Sequence, residues 1–491
     1  MPRKKVIKSE PQYRSANLEG LHKEKRLNRK TAFAFCVAVL LFGIAVEGLG
    51  AEVPWEARAT IGITLAAIVL WASEVIPFGL TSLLVLVSLV MTGACTVEVA
   101  LSGFSKGAVY LIVGGMMMAQ AVNHTALGKR LTYALMARTK GDMKRILWAV
   151  ILVPQMLALF IPATSVRTAL LLPLVLSIVN VLHLPERSGA KKQLLVGLAF
   201  GANVSGTAIL PAAIGNVLTV EILDIYLKHS ISYIDWFWYT FPVWFAMIPT
   251  TWWCIRRAFP AERETHHALT AVMQQKLQAL GPLTSEEKRC LLILAGTVFL
   301  WMSAEWHGLD PAIPALLAVV AMSLPGVGVA TWREVVQVDY GLVLLLGSTL
   351  SLGIVLNNSG AIDVVTQWLK GAWFVHLAEA PFLLIVVMIV MAHLYHLVVS
   401  NISTAVVTFL PMVIGVALEM GVNPVVLSVL SAITILYGFL LVVETLPTVL
   451  VHGTGEINQR DFWRAGVPLT VGSIMILTLV AVTWWKWITF A

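Results

Sequence analysis

Charged side chains are scarce in this 491-residue chain: Asp, Glu, Lys and Arg make up 12% of it, against about 25% in ordinary soluble domains. Water must solvate the surface of a soluble protein, so this scarcity excludes a soluble globular fold and makes a bilayer the solvent. Hydrophobic residues take up the difference, at 58%, with a mean hydropathy of +0.83. Cysteine is sparse too. Cys36, Cys95, Cys254 and Cys290 lie far apart without CxxC or paired-His spacing, which argues against a disulfide framework and against a zinc site. The chain has no P-loop, dinucleotide fingerprint or nucleophile motif, so it reads as a non-enzyme without an organic cofactor.

The net charge of +7 is local. Residues 1–30 hold ten Lys/Arg and three Asp/Glu, which leaves the rest of the chain neutral and without a nucleic-acid-binding patch. This basic head abuts the first apolar stretch, 31–50, and no Ala-x-Ala cleavage site follows. It reads as a cytoplasmic tail before a retained span, a topogenic segment rather than a lipid-headgroup receptor.

A spanning helix needs about 20 mostly apolar residues. Candidates recur at 31–50, 58–76, 79–93 and 107–123, then in two long blocks, 146–185 and 193–227, and again from 290 to the end. The polar interval 256–289, with six Lys/Arg and four Glu, divides a first half (31–255) from a second (290–491) and reads as a cytoplasmic loop with some amphipathic helix. Block 146–185 carries one charge, Arg167. Lys140, Lys144 and Arg145 precede the block and Arg187, Lys191 and Lys192 follow it, so by the positive-inside rule both ends face the cytoplasm. The chain must therefore turn within the block, at IPATSVRT (161–168), where Pro162 lacks an N–H and hydroxyls can serve opened backbone groups. A re-entrant hairpin accommodates the buried charge better than two full crossings.

The second half repeats this plan with the opposite charge sense. No Lys or Arg occurs between Gly371 and Gln459, and block 382–420 has its own polar turn, SNISTA (400–405), flanked by Glu379 and Glu419. Both of its ends should lie outside; Arg460 and Arg464 then mark a return to the cytoplasm before a last span, which puts the C-terminus outside. Short stretches recur in common order between the halves: VYLIVGG (109–115) with LVLLLGS (342–348), NHTALG (123–128) with NNSGAI (357–362), and NVLTV (216–220) with TVLVH (448–452). Halves of like sequence and opposite loop charge are the signature of inverted repeats, whose broken helices bind solute and coupling ion near the membrane midplane.

Arg167 is the sharpest chemical candidate, because an intramembrane guanidinium requires a partner or a wet cavity and its planar fork matches a carboxylate. Its partner is either an anionic substrate or a fixed acid, for which Glu444 in the second half is the natural suspect; Glu444 could equally be a coordinating or proton-carrying group. Thr164, Ser165 and Thr168 in the first turn, and Ser400, Asn401, Ser403 and Thr404 in the second, suit hydrogen bonds to an anion or oxygen ligation of Na⁺. Glycine and proline break the helices at 201–216 and 437–455, freeing carbonyls as ion ligands. The runs of Trp at 236–253 and 484–487 read as interfacial belts, and His393, His396 and Met116–Met118 as packing.

At this point the chain resembles the divalent-anion/sodium symporter family of dicarboxylate, citrate and sulfate carriers. The resemblance rests on WASEVIPFGLTSLL (71–84), the Gly-Gly helix VYLIVGGMMMAQAVNHTALGKRL (109–131) and ETLPTVLVHGTGEINQRDFWRAGVPLTV (444–471). The family's paired Ser-Asn-Thr turns are represented by Ala163-Thr164-Ser165 with Arg167 beyond, and by Ser400-Asn401 with Ser403-Thr404. Its Thr-Pro-Pro-Asn is replaced by Thr445-Leu446-Pro447-Thr448.

The resemblance implies an all-α, inverted-repeat, elevator-type membrane transporter with about 11 transmembrane helices and two re-entrant hairpins, working as a homodimer in the cytoplasmic membrane with Na⁺ as coupling ion. The expected substrate contacts are Thr164, Ser165, Arg167, Asn401, Ser403, Thr404, Thr445 and Pro447. The candidate sodium ligands are Thr164, Ser165, Gly206, Thr207, Asn216, Ser400, Asn401 and Glu444. The expected substrate is a small di- or tricarboxylate. A sulfate or sulfonate carrier, a sodium-independent dicarboxylate exchanger and a proton/cation antiporter remain alternatives.

Overall fold

The computed structural model describes residues 29–159, 161, 163–185, 188–261, 267–364 and 380–487. The basic tail through residue 28, Pro162, Arg187 and Glu379 lie outside these residues. Every regular element among the described residues is helical. The first half contains α1 (Arg29–Gly48), α2 (Trp55–Ser73), α3 (Phe78–Met91), α4 (Val97–Leu101), α5 (Gly107–His124), α6 (Leu127–Ala137), α7 (Met143–Leu157), α8 (Thr164–Val181), α9 (Gly189–Val204), α10 (Ile214–Leu227) and α11 (Tyr233–Ala258). After α12 (His267–Ala279) come α13 (Ser285–Met302), α14 (Ala304–His307), α15 (Ala312–Ser323), α16 (Trp332–Val335) and α17 (Tyr340–Asn358). The chain closes with α18 (Pro381–Val398), α19 (Ile402–Glu419), α20 (Pro424–Ile435), α21 (Leu446–His452), α22 (Gln459–Val482) and α23 (Trp484–Trp487).

Six described helices are long and apolar enough to cross a membrane, or seven if the bent pair Val97–Ser105 and Gly107–His124 counts as one span. The family resemblance implies about eleven transmembrane helices, and the count by length and hydropathy covers only the described residues. A full crossing takes about 30 Å, or 20 residues at 1.5 Å each, whereas α3, α15 and α20 have 14, 12 and 12 residues. Large apolar side chains on the outside, such as Leu292 at 75% exposure and Phe299 at 61%, face what would be lipid.

Both long apolar blocks fold as helix, break, helix. The first is α7–α8, broken at Ala158–Ala163, and the second α18–α19, broken at Val399–Asn401. α8 and α19 are each 18 residues long, and each carries an internal proline nine residues from its start, Pro173 and Pro411. Two more interruptions follow them. Between α9 and α10 the chain makes a 3₁₀ turn, Leu210–Ala212, then one extended residue, Ala213 (φ −140°, ψ 140°). Between α20 and α21 it repeats this with Val442–Glu444 and Thr445 (φ −139°, ψ 150°). The third residue of the helix that follows is polar in both cases, Asn216 and Thr448.

The two halves interlock through these broken elements. α8 packs on α9 of its own half and on α21 of the other, while α19 packs on α20 and on α10. Gly201 explains how closely α7 and α9 approach: a Cβ there would sit 3.1 Å from the Cα of Ile151. Gln155 of α7 donates to the Gly201 carbonyl (2.7 Å) and accepts from Trp244 Nε1 of α11 (2.8 Å). A second group, α2, α3 and α17, has its own core around Trp71, Leu89 and Leu352. It meets the broken elements where α10 and α19 lie against α17, α10 against α5 and α19 against α2.

Basic residues used in the sequence reading gather at one end of this bundle. Trp252 Nε1 donates to the Lys144 carbonyl, Gln193 to the Phe259 carbonyl, and Lys192 and Arg464 both lie 6.0 Å from the Phe259 ring. Within the polar interval, α12 packs on α6, and Lys276 Nζ reaches Ser177 Oγ of α8 (2.9 Å). Arg130 of α6 clasps the turn before α13: it donates to both carboxylate oxygens of Glu287 (3.2 and 3.0 Å) and to the carbonyls of Leu280, Gly281 and Pro282. A buried bidentate pair with further backbone bonds defines geometry as well as energy. Glu287→Ala should therefore lower unfolding stability in detergent by about 1.5–3 kcal/mol, the range for hydrogen bonds to charged groups; an unchanged melting midpoint would show the clasp to be dispensable.

Candidate functional site

Arg167 sits on the first turn of α8 and is fully buried. Its Nε donates to Ser205 Oγ (3.1 Å), one terminal nitrogen to the Ile161 carbonyl (2.5 Å) and the other to the Ala212 carbonyl (3.1 Å). The guanidinium thus joins the hairpin tip to both sides of the break between α9 and α10. All three acceptors are neutral, and among the described residues no carboxylate lies within ion-pair distance of it. A guanidinium has five N–H donors, so one N–H on each terminal nitrogen remains uncommitted. Glu444, the suspected fixed partner, is turned elsewhere: its Oε2 accepts from the Leu440 N–H at 2.8 Å, closing the loop it belongs to.

The hairpin tip lies directly on that break. The Thr164 methyl is 3.2 Å from where a Cβ on Gly206 would be, so position 206 tolerates little more than hydrogen. Ala163, just before α8, has φ +68°, a region that disfavours residues with a Cβ. Ser165 is half-buried beside Arg167, and Thr168 Oγ donates back to the Thr164 carbonyl (2.9 Å), a helix back-bond. Asn216 Nδ2 donates to the carbonyls of Gly206 (2.7 Å) and Ile209 (3.1 Å), which fixes the amide's orientation. Its Oδ1 is buried and has no hydrogen-bond partner among the described residues. Thr207 Oγ lies 3.0 Å from Tyr437 OH and donates to the Val204 carbonyl, while the Thr207 carbonyl accepts from Trp236 Nε1.

In the second half Asn401 is the N-cap of α19, its side chain accepting from the Thr404 N–H (3.1 Å) and the Thr404 hydroxyl (3.4 Å). Ser403 and Thr404 are buried. Ser400 Oγ faces outward to Glu74 Oε1 on the α2–α3 connection (3.4 Å). Thr445 caps α21 and shares a 2.9 Å hydroxyl contact with Thr448, while Pro447 lies in the first turn of α21. Contacts bring these groups together in two sets. Thr164, Arg167, Gly206 and Asn216 share the first tip and break, and Gly215 at the start of α10 packs against Ile402 and Val406 of α19. Ser400 and Glu444 are not drawn into the Arg167 set by any contact among the described residues.

One residue that sequence reasoning passed over ties the halves together. Asn203, in the last turn of α9, donates to the Gly438 carbonyl (2.8 Å) and to Thr445 Oγ (3.1 Å) in the second break, and its buried Oδ1 has no hydrogen-bond partner among the described residues. An amide in an otherwise apolar, glycine-flanked run was the available signal. Lys106, the residue before α5, forms a 3.0 Å ion pair with Glu221 in the middle of α10. Chemically, the site combines the N-termini of α8, α10 and α19, each carrying about half a positive charge, with a guanidinium and oriented amide oxygens. It has features for an anion and for a hard cation. Among the described residues no cluster of three His, Cys, Asp or Glu could hold a metal ion.

Comparison with known proteins agrees with this chemistry. Residues 28–491 match the family model described as sodium:sulfate symporter transmembrane region. A membrane protein of Cupriavidus necator is 26% identical over 92% of this chain and 91% of its own length. The sodium-dependent dicarboxylate transporter SdcS of Staphylococcus aureus is 23% identical over 87% and 86%. Among solved structures, the YdaH transporter of Alcanivorax borkumensis superposes with a TM-score of 0.56 at 13% identity, covering 78% of this chain and 86% of that one, which establishes a common fold. With the family model spanning all but the first residues, the protein belongs to the sodium:sulfate symporter family and is a multi-pass membrane transporter, not an enzyme.

Proposed function

We propose that the protein is a secondary active carrier of small di- or tricarboxylate anions, coupled to sodium and working by elevator movement in the cytoplasmic membrane. The observation that carries this reading is the charge balance around Arg167: a fully buried guanidinium with three neutral acceptors and, among the described residues, no acid in ion-pair distance. Carbonyl dipoles lessen the desolvation cost of such a charge but leave its field intact, and an anion supplies the missing counter-charge. Arg167 is fully buried, so a substrate reaches it only if Ile161 and Thr164 move relative to Ser205 and Ala212. Thr164 and Ser165 then offer hydroxyls from the first tip, and Asn401, Ser403, Thr404, Thr445 and Pro447 complete the substrate set from the second half.

Sodium fits the oxygen chemistry of the two breaks. Asn216 Oδ1 is fixed in orientation by its own N–H bonds and has no hydrogen-bond partner among the described residues, and an amide oxygen is a suitable ligand for a hard cation. The sodium set is Thr164, Ser165, Gly206, Thr207 and Asn216 on one side, and Ser400, Asn401 and Glu444 on the other. An ion that orders the tips makes the anion site, and anion binding tightens the ion in turn, because the coupling is reciprocal. The name of the SdcS relative supports both sodium and a dicarboxylate for this chain. Sulfate is the second reading, favoured by the family's description, since a guanidinium fork binds a tetrahedral dianion as readily as a carboxylate.

For the elevator, the moving unit is α7–α10 with α18–α21 and the static unit is α1–α5 with α13–α17, the latter forming a homodimer. The N-terminal tail faces the cytoplasm and the C-terminus the exterior, with 256–289 as a cytoplasmic loop. Lys106–Glu221 and Ser400–Glu74 lie across the boundary between the units. Two outcomes test the reading. Arg167→Ala should abolish succinate uptake into proteoliposomes while the protein still elutes as a folded species, and Arg167→Lys, which keeps the charge but loses the fork, should retain only a small part of it; undiminished uptake in Arg167→Ala sinks the assignment. In a double-mutant cycle on Lys106→Met and Glu221→Gln, melting midpoints should give a coupling of roughly 0.5–3 kcal/mol, and exchanging the two charges should restore transport lost in either single variant.

A further inference from the structure

The end of α9 serves both halves of the protein at once. Ser205 Oγ accepts from Arg167 Nε (3.1 Å) and donates to the Ala202 carbonyl (2.7 Å). Two residues earlier, Asn203 commits both of its amide hydrogens to the second break, one to the Gly438 carbonyl (2.8 Å) and one to Thr445 Oγ (3.1 Å). A carbonyl only accepts, so the amide nitrogen must face Gly438 and the orientation of the group is settled. Asn203 and Ser205 are both buried, where a lost partner is not replaced by bulk water.

The two Asn203 bonds fall where the second break is most constrained. Gly438 is the point at which it folds back on itself: a Cβ there would lie 2.7 Å from the Thr445 methyl and 2.8 Å from Glu444 Cβ. At Thr445 the bond directs a chain of hydroxyls. Thr448 Oγ lies 2.7 Å from the Val442 carbonyl and 2.6 Å from the Thr445 carbonyl, so its hydrogen goes to the backbone, and in its 2.9 Å contact with Thr445 Oγ it accepts. The Thr445 hydroxyl thus gives its hydrogen to Thr448 and a lone pair to Asn203. Gln459 at the start of α22 holds the loop from the other side, accepting from the Val442 N–H (2.9 Å) and donating to the Leu440 carbonyl (2.6 Å). A further contact between the halves, Thr207 Oγ to Tyr437 OH at 3.0 Å, reaches the second half only at a side-chain end.

We propose that Asn203 is a positioning residue that carries the coupling between sodium and anion, an inference that rests on the carrier reading above. Asn203 shares the last turn and cap of α9 with Ser205, the partner of Arg167. An anion that draws on Arg167 shifts the end of α9, and Asn203 takes the loop 438–445 with it, together with Glu444 and Thr445 of the proposed ion and substrate sets. In the reverse direction, an ion that orders this loop holds the end of α9 where Ser205 meets Arg167. The two effects are one coupling free energy seen from either site. Asn203 conveys it through Thr445, Gly438 and Ser205.

The test is equilibrium binding of succinate to purified full-length protein, in sodium and in choline buffers of equal ionic strength, for the unaltered chain, Asn203→Ala, Thr445→Val and the double variant. In Asn203→Ala, succinate affinity in choline should stay as it is, while the gain from sodium falls from at least about tenfold to less than about twofold. Thr445→Val removes one of the two Asn203 acceptors and should lower the gain, and the double variant should match Asn203→Ala, because the two changes remove a shared bond. An amide that only stabilised the fold would lower the melting midpoint and weaken succinate alike in both buffers, so an unchanged sodium-to-choline ratio in Asn203→Ala overturns the proposal. No succinate binding, or no gain from sodium, in the unaltered protein removes the carrier reading and this inference with it. Should Asn203→Ala fail to fold, Thr445→Val decides: a lowered ratio supports the proposal and an unchanged one overturns it.

Discussion

A positive charge held by neutral oxygens at the junction of two broken helices is the constraint around which the site is built. Arg167 takes the carbonyls of Ile161 and Ala212 and the Ser205 hydroxyl, so it satisfies backbone that the hairpin tip and the α9–α10 break would otherwise leave open. In a bilayer such groups cannot turn to water, and irregular backbone survives only where protein encloses it. The guanidinium is therefore both a structural pin and an unbalanced charge. The first role holds the tip against the break, and the second is the reason an anion is proposed as its ligand.

Satisfying the breaks also joins the two halves. Asn203 at the end of α9 reaches Gly438 and Thr445 in the second break, and Gly215 at the start of α10 admits Ile402 and Val406 of the second hairpin. Each break is thus bonded to or packed against the other half. Ala213 and Thr445 share one backbone geometry, and Pro173 and Pro411 hold the same place in α8 and α19. Under the proposed sodium coupling, contacts between the two breaks are the route by which an ion at one would bias an anion at the other.

Much of the plan was legible in the sequence. The scarcity of charge gave the membrane class, and the lone charge in block 146–185 together with the polar turn at 400–405 located both helix interruptions. The glycine- and proline-rich segments at 201–216 and 437–455 located the other two. What the sequence hid were long-range partners. Nothing in it joins Arg167 to Ala212, Asn203 to Gly438 or Lys106 to Glu221, because such contacts depend on how helices cross. Short polar residues beside a helix start were also ambiguous, since an oxygen that could bind an ion can equally cap the helix. Asn401 and Thr445 are caps here, and Glu444 closes its own loop rather than pairing with Arg167.

The central claim is that the unbalanced charge at Arg167 forms an anion site whose affinity is set by sodium. The most direct measurement is equilibrium binding of succinate to purified protein, by calorimetry or thermal stabilisation, in sodium and in choline buffers of equal ionic strength. The account predicts tight binding in sodium, with affinity falling at least about tenfold in choline, a coupling of the usual 1–3 kcal/mol. Succinate affinity that is the same in both buffers would contradict sodium coupling, and affinity that survives Arg167→Ala would contradict the site itself.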